Sequence, residues 1–157
     1  MVFREIQAPQ DYSAASRPFV FLAGSIEMGL AKRWQDIVRD ALIDKASILN
    51  PRREDWNSSW KQSIDNAPFR EQVEWELKGL HAADVVLFYL DPATKSPISL
   101  LELGLLAYSR TRVIVCCPDG FWRKGNVEVV CDYFRLPLVN SLGELIHVAN
   151  MRLLADA

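Results

Sequence analysis

Five short segments of this 157-residue chain are almost purely apolar, and stretches with helical spacing separate them. They span 18–25 (PFVFLAGS), 46–49, 84–90 (DVVLFYL), 113–117 and, more weakly, 136–139. Between the first two, the spacing of one helix face is repeated by Trp34, Ile37, Val38, Ala41 and Leu42. Strands that are apolar throughout are typical of a parallel sheet covered by helices on both faces. The sequence therefore predicts an α/β fold.

Five strand–helix units predict a flavodoxin-like (Rossmann-like) three-layer sandwich with a five-stranded parallel sheet in the order 2-1-3-4-5. The length suits a single domain over 1–157, with a core over about 19–154. Residues 1–17 are polar and irregular, and 51–67 form a long loop. Ligands of such sheets bind beyond the carboxyl ends of the strands, which makes Gly24 and Ser25 candidate binding residues.

Charge, hydropathy and cysteine content narrow the function classes. Lys plus Arg is 18 and Asp plus Glu is 20, so the net charge of −2 lacks the basic excess of a protein that binds nucleic-acid polymers. No apolar run approaches the roughly 18 residues of a membrane span, and the first residues lack the apolar segment of a signal peptide. Three cysteines, two of them adjacent, make no disulfide framework. We expect a cytoplasmic protein that acts on small molecules.

One predicted helix carries a carboxylate among leucines. Its sequence, SPISLLELGLLAYS, is apolar on nearly every side, which predicts a buried helix over 97–109 with Ser96 as its N-cap. An ionised Glu102 in this helix is costly unless something satisfies or uses it. Either backbone amides of a neighbouring loop bind this carboxylate, or it is a nucleophile or acid–base group at the edge of the sheet.

A second carboxylate interrupts the apolar face of the preceding helix, predicted over 68–80. Phe69, Val73 and Leu80 repeat with helical spacing, and Glu76 occupies the position between them that should be apolar. Glu76 is explained either by a salt bridge at the helix end or by a catalytic role. Since the sequence has no cluster with metal-ligand spacing, we expect no metal and no cofactor. Two such carboxyl groups favour glycosidic-bond chemistry, in which one attacks the anomeric carbon and the other moves the proton.

Four motifs in a fixed order carry a resemblance to a known family. They are FLAGSIEMG (21–29), NPRREDW (50–56), LLELG (100–104) and FWRKGNV (121–127). With them the chain resembles the nucleoside 2-deoxyribosyltransferase family from about Phe19 to Val139. Members cleave the N-glycosidic bond of 2′-deoxynucleosides and pass the deoxyribose to another base. The resemblance therefore implies deoxynucleosides and free nucleobases as substrates.

The resemblance also implies roles for individual residues. The glutamate of the ELG motif, Glu102 here, is the nucleophile and forms a covalent deoxyribosyl intermediate. The carboxyl group eight residues before Asp84, which is Glu76, manages the proton on the base. Asn126 matches an asparagine that reaches the sugar in the neighbouring subunit, which implies a homodimer or a higher homo-oligomer. It lies in a predicted loop after the fourth strand, and we expect Phe121 and Trp122 of this loop to be exposed, as at an interface.

Recognition of the base departs from the family pattern, because Ser96 stands where members usually carry a base-contacting aspartate. Asp91, Asp55 or Trp56 would supply base contacts instead. Related nucleotide N-glycosidases use a serine near this position to contact phosphate, so nucleoside 5′-monophosphates stay open as substrates. The predicted substrate-binding residues are therefore Gly24, Ser25, Asp55, Trp56, Asp91, Ser96 and Asn126.

Two other functions stay open at this point. With water as the acceptor, the same site would be an N-glycoside hydrolase of deoxynucleosides or nucleoside 5′-monophosphates. A different class is a nucleotide-binding module that keeps the fold without catalysis, and the presence of both Glu102 and Glu76 speaks against it.

Overall fold

The apolar segments pair side by side in a parallel sheet. The computed structural model describes residues 2–109 and 112–155. Its strands are β1 (Glu5–Gln7), β2 (Phe19–Gly24), β3 (Ser47–Asn50), β4 (Val85–Tyr89), β5 (Val113–Cys116) and β6 (Leu138–Val139). Its α-helices are α1 (Trp34–Leu42), α2 (Ala67–Ala82), α3 (Pro97–Leu106), α4 (Lys124–Phe134) and α5 (Leu142–Ala155). The six strands lie in the order β1-β3-β2-β4-β5-β6, and every pair is parallel.

The predicted count of five strands is wrong, because a sixth strand lies at one edge. The segment Glu5–Gln7, inside the stretch expected to be irregular, pairs with β3 from Glu5 opposite Ile48 to Gln7 opposite Asn50. A strand of three residues with one buried apolar side chain, Ile6, is too short to show a period. The other five strands lie in the relative order 2-1-3-4-5.

Helices cover both faces of the sheet, and neighbouring residues of each strand point to opposite faces. Val20 and Leu22 of β2 pack in one core with α1 and α5. Phe21 and Ala23 pack in the other core with α2, α3 and α4. The two helices that carry the candidate carboxylates therefore lie on the same face of the sheet. None of the helices in the described ranges is long and apolar enough to cross a membrane.

Helix α3 is not buried all round, contrary to the prediction, and it ends earlier than expected, at Leu106. Ile98, Leu101 and Leu105 are 59–60% exposed, whereas Ser99, Glu102 and Leu103 are buried. Because leucines lie on every side of this helix, the sequence does not indicate which side packs on the sheet. The exposed side forms an apolar surface.

Helix α2 turns a different face to the sheet from the predicted one. Its buried residues are Gln72, Trp75, Gly79 and Leu80. A Cβ at Gly79 would lie 2.7 Å from the ring of Phe21, so glycine lets α2 pack directly on β2. The polar Gln72 belongs to this face, which the apolar spacing could not reveal.

Candidate active site

The end of β2 approaches β4 so closely that only glycine fits. Gly24 has φ +136°, and a Cβ there would lie 2.3 Å from the carbonyl oxygen of Tyr89. The next residue, Ser25, donates its N–H to that same oxygen at 2.9 Å. The glycine therefore brings Ser25 against the loop that leads from β4 to α3.

Three buried hydroxyl groups form a closed ring beneath this loop. The Oγ atoms of Ser25 and Ser96 lie 2.5 Å apart, and Thr94 Oγ1 lies 2.9 Å from the first and 2.8 Å from the second. Ser25 Oγ also accepts the N–H of Asp91 at 2.8 Å. All three hydroxyl residues are buried. In this structure, Ser25 and Ser96 hold the β4–α3 loop against β2.

The amides at the start of α3 are capped by a residue that is distant in the sequence. Ser96 occupies the N-cap position as predicted, but its φ is +48° and its side chain makes no capping bond. The amides of Lys95 and Ser96 instead donate to the carboxylate of Glu27, whose own φ is +41°. Sequence reasoning missed Glu27. Its one signal is the absence of an acidic residue from the first turn of α3, where carboxylates are favoured.

Asp91 uses both carboxylate oxygens within the protein. It accepts the N–H of Lys32 at 3.0 Å on one oxygen and that of Ala93 at 2.9 Å on the other. The side chain is buried at the end of β4. These bonds fix the turn after β4, so a base contact from Asp91 would have to share its oxygens with them.

Glu102 is a buried acidic residue of α3. No described side chain or amide hydrogen-bonds to its carboxyl group, although a buried carboxylate normally has such partners. Burial raises its pKa to about 8, and the charge of Glu76 acts in the same direction. The sequence offered hydrogen bonds from loop amides as one explanation for Glu102, and the described residues form no such bond.

Glu76 is the partner carboxyl group on α2. Its Oε1 accepts the amide N–H of Gln72 at 2.7 Å. Burial raises the pKa of Glu76 to about 6, and the Gln72 bond partly offsets that rise by favouring the ionised form. No salt bridge to Glu76 exists in the described residues, which removes the structural explanation offered by the sequence.

The two carboxyl groups influence one another electrostatically, although they lie on different helices. Neighbouring carboxyl groups that repel each other titrate as a pair rather than one by one. With pKa values of about 6 and about 8, the pair holds one shared proton near neutral pH, and the higher pKa places it mostly on Glu102. One carboxylate and one carboxylic acid are what displacement at an acetal-like carbon requires. Strongly perturbed acids in one place are typical of active sites.

Asp55 and Trp56 lie on the long segment between β3 and α2. Asp55 is mostly exposed and binds Arg53 through both oxygens, at 2.6 and 2.8 Å. Trp56 packs edge-to-face on Trp60 with ring centroids 5.1 Å apart, and its buried indole N–H has no hydrogen-bond partner in the part of the chain that the structure describes. Of the two predicted base contacts, Trp56 therefore has a free donor, whereas Asp55 is engaged.

Asn126 lies in the first turn of α4 rather than in the expected loop, and it is exposed. Phe121, also expected to be exposed, is 4% exposed in the core, whereas Trp122 is half exposed. The Trp122 indole donates to the carbonyl of Lys95 at 2.9 Å, which ties this segment to the loop before α3. Among the described residues, no hydrogen bond or ion pair joins Asn126 to Glu76 or Glu102.

A family model described as nucleoside 2-deoxyribosyltransferase like matches residues 17–121, more than half of the chain. The chain belongs to the nucleoside 2-deoxyribosyltransferase-like family. The matched range contains Glu76 and Glu102 and ends before Asn126. Membership in this family indicates a glycosyltransferase-like enzyme with nucleoside substrates.

A solved structure resembles the fold of this family member at low sequence identity. It is the crystal structure of a conserved protein from Enterococcus faecalis V583, with a TM-score of 0.60 and 12% identity. The similarity covers 87% of this chain and 99% of that one. At this identity, the likeness concerns the fold alone. Among curated proteins, no sequence matches the chain.

Proposed function

We propose that this protein is a nucleoside 2-deoxyribosyltransferase that transfers deoxyribose between nucleobases through an ester on Glu102. The observation that carries the proposal is the carboxyl group of Glu102, a residue that is 8% exposed. This group has no hydrogen-bond partner among the described residues, and its pKa is raised beside Glu76. A carboxyl group kept at such a cost indicates a use, since burial without a partner destabilises the fold.

The proposed reaction has two displacement steps at C1′ of the sugar. The reactive form of the pair has the proton on Glu76, which is the reverse of the arrangement that the two pKa values favour. In that form, ionised Glu102 forms a bond to C1′ while the C1′–N bond breaks, and protonated Glu76 gives its proton to the departing base. An acceptor base then attacks C1′ from the opposite side, releases Glu102 as a carboxylate and returns a proton to Glu76. Two inversions retain the configuration of the sugar. A 2′-deoxy sugar favours this route because it lacks the electron-withdrawing hydroxyl group.

The proton count predicts a bell-shaped pH profile for transfer. Below about pH 6 both carboxyl groups are protonated and the nucleophile is lost, whereas above about pH 8 both are ionised and the acid is lost. We expect kcat/KM to be greatest between these limits and to fall about tenfold per pH unit well beyond each. Initial rates in buffers of constant ionic strength check this. A profile that is flat from pH 5 to 9 would contradict the shared proton.

The donor is expected to be a nucleoside with a free 5′-hydroxyl group. Ser96 occupies the position that relatives use to contact phosphate, but its backbone N–H already donates to the carboxylate of Glu27. A phosphate at that position would be repelled by this carboxylate and would compete for the same amide. The observation favours deoxynucleosides over nucleoside 5′-monophosphates.

Chromatographic product analysis tests the proposed function. The protein is incubated with each of the four deoxynucleosides, with and without a second free base, and with the matching 5′-monophosphates. A new deoxynucleoside that appears only when the second base is present supports the transferase. Release of free deoxyribose without an acceptor indicates the hydrolase. Absence of any bond cleavage with all donors would favour a binding module.

We also propose that the active unit is at least a homodimer in which Asn126 completes the site of the other subunit. The exposed apolar side of α3 supports this, and so do exposed Val129 and Tyr133 on α4, the helix that carries Asn126. Exposed apolar patches of this kind are typical of interfaces between proteins. Closed two-fold symmetry would present the same helix to both sites.

Mixing two inactive variants tests the shared site. If Asn126 serves the neighbouring subunit, a hybrid of Glu102→Ala and Asn126→Ala chains has one site with both lesions and one intact site. After subunit exchange in an equal mixture, we expect roughly one quarter of the wild-type activity. Exchange is confirmed independently with two differently tagged chains. Complete exchange without recovery of activity would contradict the shared site.

A further inference from the structure

We infer that Gln72 is a positioning residue that fixes which oxygen of Glu76 carries the proton. The inference rests on the proposed function, because it concerns how Glu76 would deliver a proton to the departing base. Gln72 is 3% exposed and lies one helical turn before Glu76 on α2. A polar amide on the face that packs against the sheet has no packing benefit over a hydrocarbon of the same size.

The side-chain amide of Gln72 forms three hydrogen bonds with its neighbours. Its nitrogen donates to the carbonyl oxygen of Pro51 at 3.1 Å and to Oε1 of Glu76 at 2.7 Å. Its oxygen accepts from Nη1 of Arg53 at 3.3 Å. A carbonyl can only accept and a guanidinium can only donate, so these two neighbours determine which way the amide faces. The amide must therefore present N–H, and never oxygen, to Glu76.

This orientation has a consequence for the proton on Glu76. An oxygen that accepts a short bond from an amide is a poor place for a proton, because the hydroxyl oxygen of a carboxylic acid is a weaker acceptor than its carbonyl oxygen. The proton is therefore directed to Oε2, the other oxygen. A fixed donor oxygen gives the departing base a proton at a defined place, which is the kind of alignment on which proton transfer depends.

Arg53 is itself held, so the amide cannot turn over easily. Its guanidinium binds Asp55 through two bonds and stacks over the ring of Trp60 at 5.3 Å. The Arg53 side chain is 9% exposed in this arrangement. The long segment between β3 and α2 therefore reaches Glu76 through Arg53 and Gln72, which gives that segment a defined part in the site.

The test compares Gln72→Met with the wild-type enzyme. Methionine fills the same volume without donating to Glu76, so we expect kcat to fall about 10- to 100-fold while KM changes little. The acidic limb reports the lower pKa of the pair, which is that of Glu76. It should move to higher pH by about 0.5 or more, because the ionised form of Glu76 loses a hydrogen bond. The charged groups that face this pair are Glu102 from α3 and Arg53 from the segment after β3.

Gln35→Met is the matched control, because Gln35 is equally buried and binds Arg52 and the Ser25 carbonyl, but no carboxyl group. It should leave the acidic limb of the pH profile in place whatever it does to stability.

Gln72→Glu replaces Gln72→Met as the test if the methionine variant does not fold. It keeps the Arg53 partner and sets a second negative charge against Glu76, so the limb should move further in the same direction. An unmoved limb in an active, folded Gln72 variant would overturn the inference, whereas an inactive wild type would overturn the proposed function instead.

Discussion

Glu102→Gln is expected to lower the rate of deoxyribose transfer by at least about 10³-fold, because an amide cannot form the ester with C1′. The variant keeps the shape of the side chain, so its fold and its affinity for the free base should persist. Initial rates measured by chromatography, with calorimetry for base binding, check both parts. Turnover near the wild-type value would remove Glu102 from the chemistry.

The same variant should be more stable than the wild type at alkaline pH. The pKa of Glu102 is about 8 in the folded chain, above its ordinary value of 4.5. The stability this group contributes is therefore fully present below pH 4.5 and is lost as pH rises through 8. Glutamine has no such loss, so the free energy of unfolding should differ by on the order of 3 kcal/mol above pH 8 and much less at pH 5.

Glu76→Gln is expected to slow transfer by about 10²- to 10⁴-fold for a poor leaving base and much less for a good one. A base that leaves easily needs little help from an acid, so 2′-deoxyuridine should suffer more than its 5-fluoro analogue. The alkaline limb of the pH profile should also disappear, because the variant has no acid to lose. Steady-state rates with both substrates across pH measure these effects.

Glu74→Gln is the matched control for this variant. Glu74 lies on the same helix two residues away, is partly exposed and pairs with Arg70 at 2.6 Å. The same chemical change there should leave both rates and the pH profile unaltered. If Glu76→Gln slows the two substrates equally and keeps both limbs, Glu76 holds the structure or the substrate and does not move the proton.

The central part of the fold could be predicted from the sequence, and its edge could not. Apolar segments such as 84–90, bounded by polar residues, predict buried strands, and their order along the chain predicts the parallel sheet. The strand β1 has only three residues and gains its pairing from β3, which local sequence does not record. Helix α3 was predicted to be buried because leucine fits both a core and an exposed interface equally well.

In the site, the two carboxyl groups could be predicted from the sequence, but the residues that hold the surrounding structure in place could not. Glu102 and Glu76 are conspicuous because each replaces an apolar residue in a periodic pattern. Gln72 and Glu27 act through bonds to atoms distant in sequence, so no local pattern marks them. Ser96 was correctly placed at the start of α3. Its left-handed backbone and the bond from its amide to Glu27, 69 residues earlier in the chain, could not be foreseen from the local sequence.

Trapping the covalent intermediate tests the central claim most directly. The substrate is a deoxynucleoside with fluorine at C2 of the sugar. Because the electron-withdrawing fluorine destabilises both transition states, the sugar should stay bound to the enzyme. Intact-protein mass spectrometry should show a gain equal to one fluorinated sugar, and peptide mapping should place it on Glu102. Glu102→Gln should show no gain. An active wild type that forms no adduct, or forms it on another residue, would contradict the account.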